Sequence, residues 1–244
     1  IERQEKVMVY GDYDVDGTTS VAMLYLFLKD YLKQIDYYIP DRYTEGYGIS
    51  PQSIDFAASE NFTLVIVLDC GIKAVEKVQY AKQNGLDFII CDHHNPGDSI
   101  PDAVAVLDPK RADCSYPYKE LSGCGVGFKL LQAFTQKNNI SQEKLYDLLD
   151  LAVVSIASDI VPITGENRIL AYYGLKLINS DPRPAFEAIL RHCNVTRKVV
   201  DEDNPSNFIF TKELSISDLV FLIGPRINAA GRIESGRNSV DLLV

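Results

Sequence analysis

Asp12, Asp14 and Asp16 stand at alternate positions behind the apolar run Val7-Met8-Val9-Tyr10. Residues two apart in an extended segment point to the same side, so these carboxylates could converge while the chain stays extended. Like charges converging in a partly dry crevice repel unless a cation sits between them, and a divalent metal is the simplest such cation. An Asp/Gly-rich surface turn has the same local appearance, so other stretches must decide. Asp69 closes the β-branched run 64–68, Asp92-His93-His94 close 88–91, and Asp108 closes 103–107. Ser158-Asp159 end a helical stretch, where an acid is electrostatically unfavourable and so hints at another role. Aspartate oxygens with one or two imidazoles suit Mn²⁺ or a similar first-row ion, whereas Mg²⁺ accepts imidazole less readily. So many carboxylates exceed the need of one ion. Two ions about 3.5–4 Å apart, sharing a bridging carboxylate, are the usual arrangement for hydrolysing phosphate esters.

Competing chemistries are weaker. No nucleophile-elbow pattern supports Ser/His/Asp or Cys/His catalysis, and His192 belongs to an ordinary helix. Gly123-Cys124-Gly125-Val126-Gly127 lacks both the GxGxxG spacing and a Walker lysine. It reads as a helix N-terminus offering backbone N–H groups, that of Gly125 included, to a substrate phosphate. Asp108-Pro109 reads as a strand-end turn, and Lys110, Arg111 and Lys129 as solvated surface charge.

The elements that must position these residues follow a strand–helix alternation. Strands are expected at 6–11, 36–40, 64–68, 88–91 and 103–107. Helices are expected at 18–33, capped by Thr18 or Thr19, at 51–60 and at 74–84, the last closed by Gly85. Continuous apolar strands separated by helices mark a parallel sheet covered on both faces, in which ligands bind beyond the carboxyl ends of the strands. The acids and histidines recur at that edge, strand after strand. After a connector over 108–127, helices are expected at 144–158, 167–179, 184–193 and 217–223. The last runs into a Gly-Pro/Gly-rich loop at 224–232, and 239–244 reads as a further helix. Asp201 to Ser206 reads as a solvated acidic loop. The fold expected is therefore α/β, a parallel sheet of about five strands flanked by helices (1–108), with a helical C-terminal extension of the same domain (109–244).

Composition is ordinary for a globular chain, 46% hydrophobic and 24% charged over 244 residues. A net charge of −10 argues against broad nonspecific binding to polyanions but not against a nuclease, whose carboxylates bound metal would offset. No apolar run is long enough to span a bilayer, and no signal-peptide pattern opens the chain. Five cysteines without CxxC or zinc spacing read as reduced core thiols of a cytoplasmic protein. The chain has no initiator methionine and stops within a helical pattern, as a piece of a longer protein would.

Asp12-Tyr13-Asp14-Val15-Asp16-Gly17, Asp69-Cys70-Gly71, Asp92-His93-His94 and Ser158-Asp159 resemble, in order, the four motifs of the DHH phosphoesterase superfamily. Glu45-Gly46-Tyr47-Gly48 and Gly224-Pro225-Arg226-Ile227-Asn228-Ala229-Ala230-Gly231-Arg232 resemble the RecJ family of single-strand-specific 5′→3′ exodeoxyribonucleases. The resemblance implies Asp14, Asp16, Asp69, His93 and Asp159 as ligands of two Mn²⁺ or Mg²⁺ ions, Asp69 bridging, with Asp12 in the shell or just outside it. It implies His94 facing the scissile phosphate, with Asp92 and Arg226 in the catalytic set and Arg226, Asn228 and Arg232 on substrate phosphates. Tyr10 departs from superfamily members that carry a histidine ligand there, which would leave one ion less completely held. The resemblance further implies single-stranded DNA as substrate, a single-stranded-DNA-binding protein as partner and a role in recombination and repair. It also implies a C-terminal domain and an oligonucleotide-binding module outside this chain. The rival readings are an oligoribonucleotide or cyclic-dinucleotide phosphodiesterase of the same superfamily, and a non-catalytic replication scaffold. The 224–232 segment argues against the first, and the intact acidic motifs against the second.

Overall fold

A computed structural model describes residues 2–200, 208–233 and 236–244. Strand β1 (Val7–Gly11) is fully buried and leads into helix α1 (Val15–Leu28). Then come β2 (Ile35–Tyr38), α2 (Pro51–Ser59), β3 (Leu64–Leu68), α3 (Val75–Gln83), β4 (Asp87–Cys91) and β5 (Ala105–Leu107). The five strands form one sheet in the order β2-β1-β3-β4-β5, and every pairing is parallel. This is the α/β parallel sheet expected from the alternation of apolar runs.

Strand alternation divides the core. Val7 and Val9 of β1 face a large cluster shared with α1 and the later helices, while Met8 and Tyr10 face a smaller one closed by α2 and α3. Helix α1 is apolar nearly all round because it is covered on several sides. Helices α4 (Gly123–Asn138), α5 (Glu143–Tyr146) and α6 (Leu149–Ser158) follow, and α4 and α6 both pack on α1. The stretch 144–158 is therefore not one helix; Asp147 and Leu148 separate α5 from α6. Helix α4 begins at Gly123, inside the stretch read as connector, because Ser122 caps it by accepting the Gly125 N–H (3.1 Å).

Helices α7 (Gly165–Ser180) and α8 (Pro184–His192) precede an antiparallel hairpin that the sequence did not reveal, β6 (Arg197–Val199) with β7 (Phe208–Phe210). The expected acidic loop, Asp201 to Ser206, lies outside the described residues. Beyond it, α9 (Ile216–Asp218) runs through a π-helical turn, Leu219–Ile223, into α10 (Gly224–Ile233) and then α11 (Gly236–Leu243). The Gly-Pro segment is thus helical rather than a loop. Pro225 sits at the start of α10, where its missing N–H costs little, and the wider turn before it lets Gly224 N–H reach Leu219 O.

Candidate metal centre

The sheet order reverses between β1 and β3, since β1 is followed in space by β2 on one side and β3 on the other. Crevices at such switch points, beyond the carboxyl ends of the strands, are where open parallel sheets bind ligands. The acids of β1 and β3 meet there. Asp12, just past β1, is buried, with Oδ1 3.5 Å from Gly48 N. Asp14 is the N-cap of α1 and accepts the Gly17 N–H at 2.9 Å. Asp16 already lies in the first helical turn, so the extended run expected through all three acids ends at Asp14. The helical turn, rather than strand alternation, brings Asp16 to the site. Gly17 makes this tight entry possible, because a Cβ there would meet Asp12 O at 2.3 Å.

Asp16 is held from two other helices, α4 and α6. It accepts the N–H groups of Gly123 (2.7 Å) and Cys124 (2.8 Å), and the Ser155 hydroxyl (2.7 Å), which in turn lies 2.6 Å from Ser122 Oγ. The glycine-rich start of α4 therefore does bind an anion, but the anion is this carboxylate rather than a substrate phosphate. Gly125 is buried and gives its N–H to Ser122, so the expectation of Gly125 as a substrate contact is corrected. Helix N-termini favour negative charge, and this one is used to orient a ligand candidate.

Asp69 ends β3 in the left-handed region (φ +60°) and is 2% exposed. Gly123 lies against it; a Cβ on Gly123 would come within 2.6 Å of Asp69 Cβ and Oδ1. Asp159 caps the C-terminal end of α6. His93, after β4, joins these acids: its Nε2 is 3.1 Å from Asp69 Oδ1, 3.7 Å from Asp16 Oδ2 and 3.7 Å from Asp159 Oδ2. Yet neither ring nitrogen of His93, nor Asp69 Oδ1, makes a hydrogen bond, although all three atoms are buried. Two overlapping groups could each take an ion at one point, Asp69 with His93 and His94, and Asp16 with His93 and Asp159.

The electrostatics agree. Burial, then the neighbouring Asp14 charge, pushes Asp12 up to about 7. Burial, then Asp16, raises Asp14 and takes Asp159 to about 6. Asp69 is driven well above the usual carboxylate range by burial and by the charges of Asp16 and Asp14. Such carboxylates hold protons until something more positive replaces them.

Asp92 behaves differently. Its Oδ1 accepts the His93 N–H (2.7 Å), the His94 N–H (3.1 Å) and His94 Nδ1 (2.8 Å), and its Oδ2 accepts the Ile72 N–H (2.8 Å). Burial raises its pKa, but the His94 and backbone hydrogen bonds outweigh that and hold it below the ordinary value. The same bond raises the His94 pKa and fixes its ring with Nε2 3.4 Å from Tyr47 Oη. Asp92 therefore orients the two histidines.

Tyr10 is not a displaced ligand. It is 1% exposed, lies on the α2–α3 side of the sheet, stacks on Tyr38 and gives its hydroxyl to Gly48 O (2.7 Å). Arg226 is exposed on α10, its Nη1 turned to Leu222 O (2.9 Å), and Asn228 is half-buried on the same helix. The side chain of Arg232 lies outside the described residues. Sequence reasoning passed over Arg42, whose guanidinium stacks 4.2 Å from the Tyr13 ring centre and whose Nε is buried without a partner. It also passed over Ser155, although its place one turn before Asp159 on the buried face of α6 was a usable signal.

Residues 6–156 match the model of the DHH family, N-terminal domain. The chain belongs to the DHH family. Among curated relatives, this DHH domain is 39% identical over its whole length to the single-stranded-DNA-specific exonuclease RecJ of Bacillus subtilis. It is 36% identical over 98% of its length to the Escherichia coli exonuclease of the same name. It spans only 28% and 41% of those two proteins. Among solved structures, an exonuclease RecJ bound to manganese superposes with a TM-score of 0.81 at 28% identity, covering all of this chain and 57% of that one. RecJ of Thermus thermophilus in complex with Mn²⁺ gives 0.76 at 26% identity, over 99% of this chain and 32% of that one.

Proposed function

We infer that this domain is the metal-dependent phosphodiesterase part of an exonuclease acting on single-stranded DNA, in recombination and repair. The observation that carries the reading is His93, a buried imidazole with no hydrogen bond on either nitrogen and three carboxylates around Nε2. Leaving such groups buried and unpaired is costly, and a divalent cation is the partner their chemistry fits. Asp14, Asp16, Asp69, His93 and Asp159 would hold Mn²⁺ or Mg²⁺, with Asp12 beside them. A bound ion supplies Lewis acidity toward a phosphate oxygen and lowers the pKa of a bound water.

The remaining roles belong to the chain itself. Asp92 fixes the His94 ring and favours its protonated form, so that His94 Nε2 offers a hydrogen bond to the scissile phosphate. Arg42 adds a cation beside Asp12, with Nε unpaired, while Arg226 and Asn228 lie on α10 for backbone phosphates further along the strand. The named activity of the relatives supports single-stranded DNA as the substrate. A single-stranded-DNA-binding protein is the matching partner, since it coats that substrate. Five free thiols, with no described helix long and apolar enough to cross a membrane, support a reducing, cytoplasmic setting.

Asp69→Asn tests the reading, because asparagine tolerates the left-handed backbone at this position. We expect loss of Mn²⁺-dependent nucleotide release from single-stranded DNA with the thermal transition retained. Undiminished release in that variant would remove Asp69 from the site.

A further inference from the structure

The loop over 39–50, between β2 and α2, reaches the centre three times. Arg42 stacks on Tyr13 beside Asp12, Tyr47 Oη lies 3.4 Å from both His94 Nε2 and Asp69 O, and Gly48 N lies 3.5 Å from Asp12 Oδ1. Yet the loop has little of its own to keep it there. Gly46 (φ +80°) and Gly48 (φ +75°) flank Tyr47 in the left-handed region, and a Cβ on either would meet nothing within 4 Å. These glycines serve the turn rather than the packing, and glycine loses the most freedom on being ordered. Glu45 supplies the hold. Its Oε1 accepts the Tyr38 hydroxyl (2.9 Å) and the Asp41 N–H (2.8 Å), and its Oε2 accepts the Ser50 hydroxyl (2.5 Å). Tyr38 ends β2 and stacks on Tyr10 of β1, and Ser50 is the buried N-cap of α2. One carboxylate thus ties the loop to the sheet on one side and to a helix start on the other. The Asp41 carboxylate, by contrast, bonds only to Tyr43 and Thr44 within the loop. Glu45 makes no ion pair among the described residues, and none of its hydrogen bonds goes to a residue of the centre.

We propose that Glu45 is a positioning residue for phosphodiester hydrolysis: by pinning this loop to β2 and α2 it sets Arg42 and Tyr47 where the strand meets the centre. The proposal rests on the phosphodiesterase reading for its reaction. Glu45 acts on how the strand is held and not on the ions, since it reaches the centre only through the loop. Without it, three donors lose their acceptor and the glycines on either side of Tyr47 leave the loop free to wander. A shift of about 1 Å in a positioning group costs on the order of a hundredfold in rate, so a partly disordered loop corresponds to about a tenfold loss.

A mutant cycle tests it, with a direct reading of the loop beside it. Glu45→Ala should lower kcat/KM on a single-stranded oligonucleotide about tenfold, while Mn²⁺ affinity stays within about twofold of the parent. Glu45→Gln keeps a carbonyl oxygen for Tyr38 and Asp41 and should restore most of the loss. In a chain already carrying Arg42→Ala and Tyr47→Ala, adding E45A should cost less than about twofold. Amide exchange over 42–48, followed by mass spectrometry in chelator, should quicken about tenfold in E45A and little in E45Q. Should E45A not fold, Tyr38→Phe removes one donor, keeps the ring on Tyr10, and should move exchange and kcat/KM the same way by less. Unchanged exchange, or a loss that E45A adds in full to the R42A/Y47A chain, overturns the positioning role and leaves the nuclease reading intact. A parent chain that releases no nucleotide, with exchange still raised by E45A, keeps Glu45 as the anchor of the loop and overturns the nuclease reading.

Discussion

At the scale of single residues, Asp16 explains how the centre is kept in shape before any ion arrives. Its two oxygens take two backbone N–H groups and the Ser155 hydroxyl, so it reaches the cluster already oriented. Ser155→Ala removes one of those donors in a place water does not reach. A lost hydrogen bond to a charged group costs about 1.5–3 kcal/mol, which in a domain of this size lowers Tm by roughly 4–10 °C. Loss of an outer orienting partner also weakens metal binding about tenfold or more. Calorimetric melting and Mn²⁺ titration check both, and an S155A chain with wild-type metal affinity would show that the serine only packs. Asp92 has a comparable role for His93 and His94, which is why its charge is stabilised while that of its neighbours is not.

At the scale of elements, the centre depends on α4 approaching the end of β3 more closely than any side chain permits. Gly123→Ala places a methyl 2.6 Å from Asp69 Cβ and Oδ1, with little freedom for either backbone. We expect Asp69 to be displaced, stability to fall by about 1–3 kcal/mol and Mn²⁺ affinity to fall at least tenfold. A G123A chain that binds Mn²⁺ like the parent would show that the approach is not required. The same elements show how far the sequence could be read. The strands were legible because buried parallel strands are continuous apolar runs, and four of the five, β1, β3, β4 and β5, are followed directly by an aspartate. Of helix α4 only the N-terminus was legible and not its course to Asn138, because Gly123, Gly125 and Gly127 depress local helix propensity; close contact with Asp69 and with Leu24 supplies the reason for Gly123 and Gly127. Strands β6 and β7 have three residues each, too few to show a period. The break between α5 and α6 escaped notice because Leu145, Leu148 and Leu149 keep helical spacing across it. Asp14, Asp16, Asp69, His93 and Asp159 were named from the motifs. Asp16's actual route into the site, through a helical turn, was hidden by an alternation that also suits a strand.

At the scale of the whole molecule, the acidic crevice makes folding and metal binding one coupled equilibrium. Asp12 at about 7 and Asp159 at about 6 lie above their unfolded values, so without metal the folded chain binds more protons than the unfolded one between about pH 4 and 7. Stability from these groups is fully present below their unfolded pKa and is lost as pH rises through their folded pKa. Asp92, held low, opposes the trend but titrates further into acid. In chelator, Tm should therefore fall between pH 5.5 and 8, on the order of 5 °C. Saturating Mn²⁺ should reverse the slope, since ligands must lose protons to bind it. Melting curves across pH with and without Mn²⁺ check this; parallel curves would disconnect the carboxylates from the ion.

The arrangement at the far side of the sheet has a consequence for assembly. β2 is an edge strand, and such edges invite pairing with another chain. Here α11 lies across it: Arg237 gives Nη1 to Tyr37 O (2.8 Å) and Nη2 to Asp36 (3.0 Å), and Tyr37 Oη is bonded to Asp241. The last eight residues of helix thus work as a guard rail, filling with a guanidinium the backbone acceptor a neighbouring copy would seek. Any boundary drawn through this protein upstream of Gly236 would leave the parallel sheet whole but its β2 edge open to a neighbouring chain.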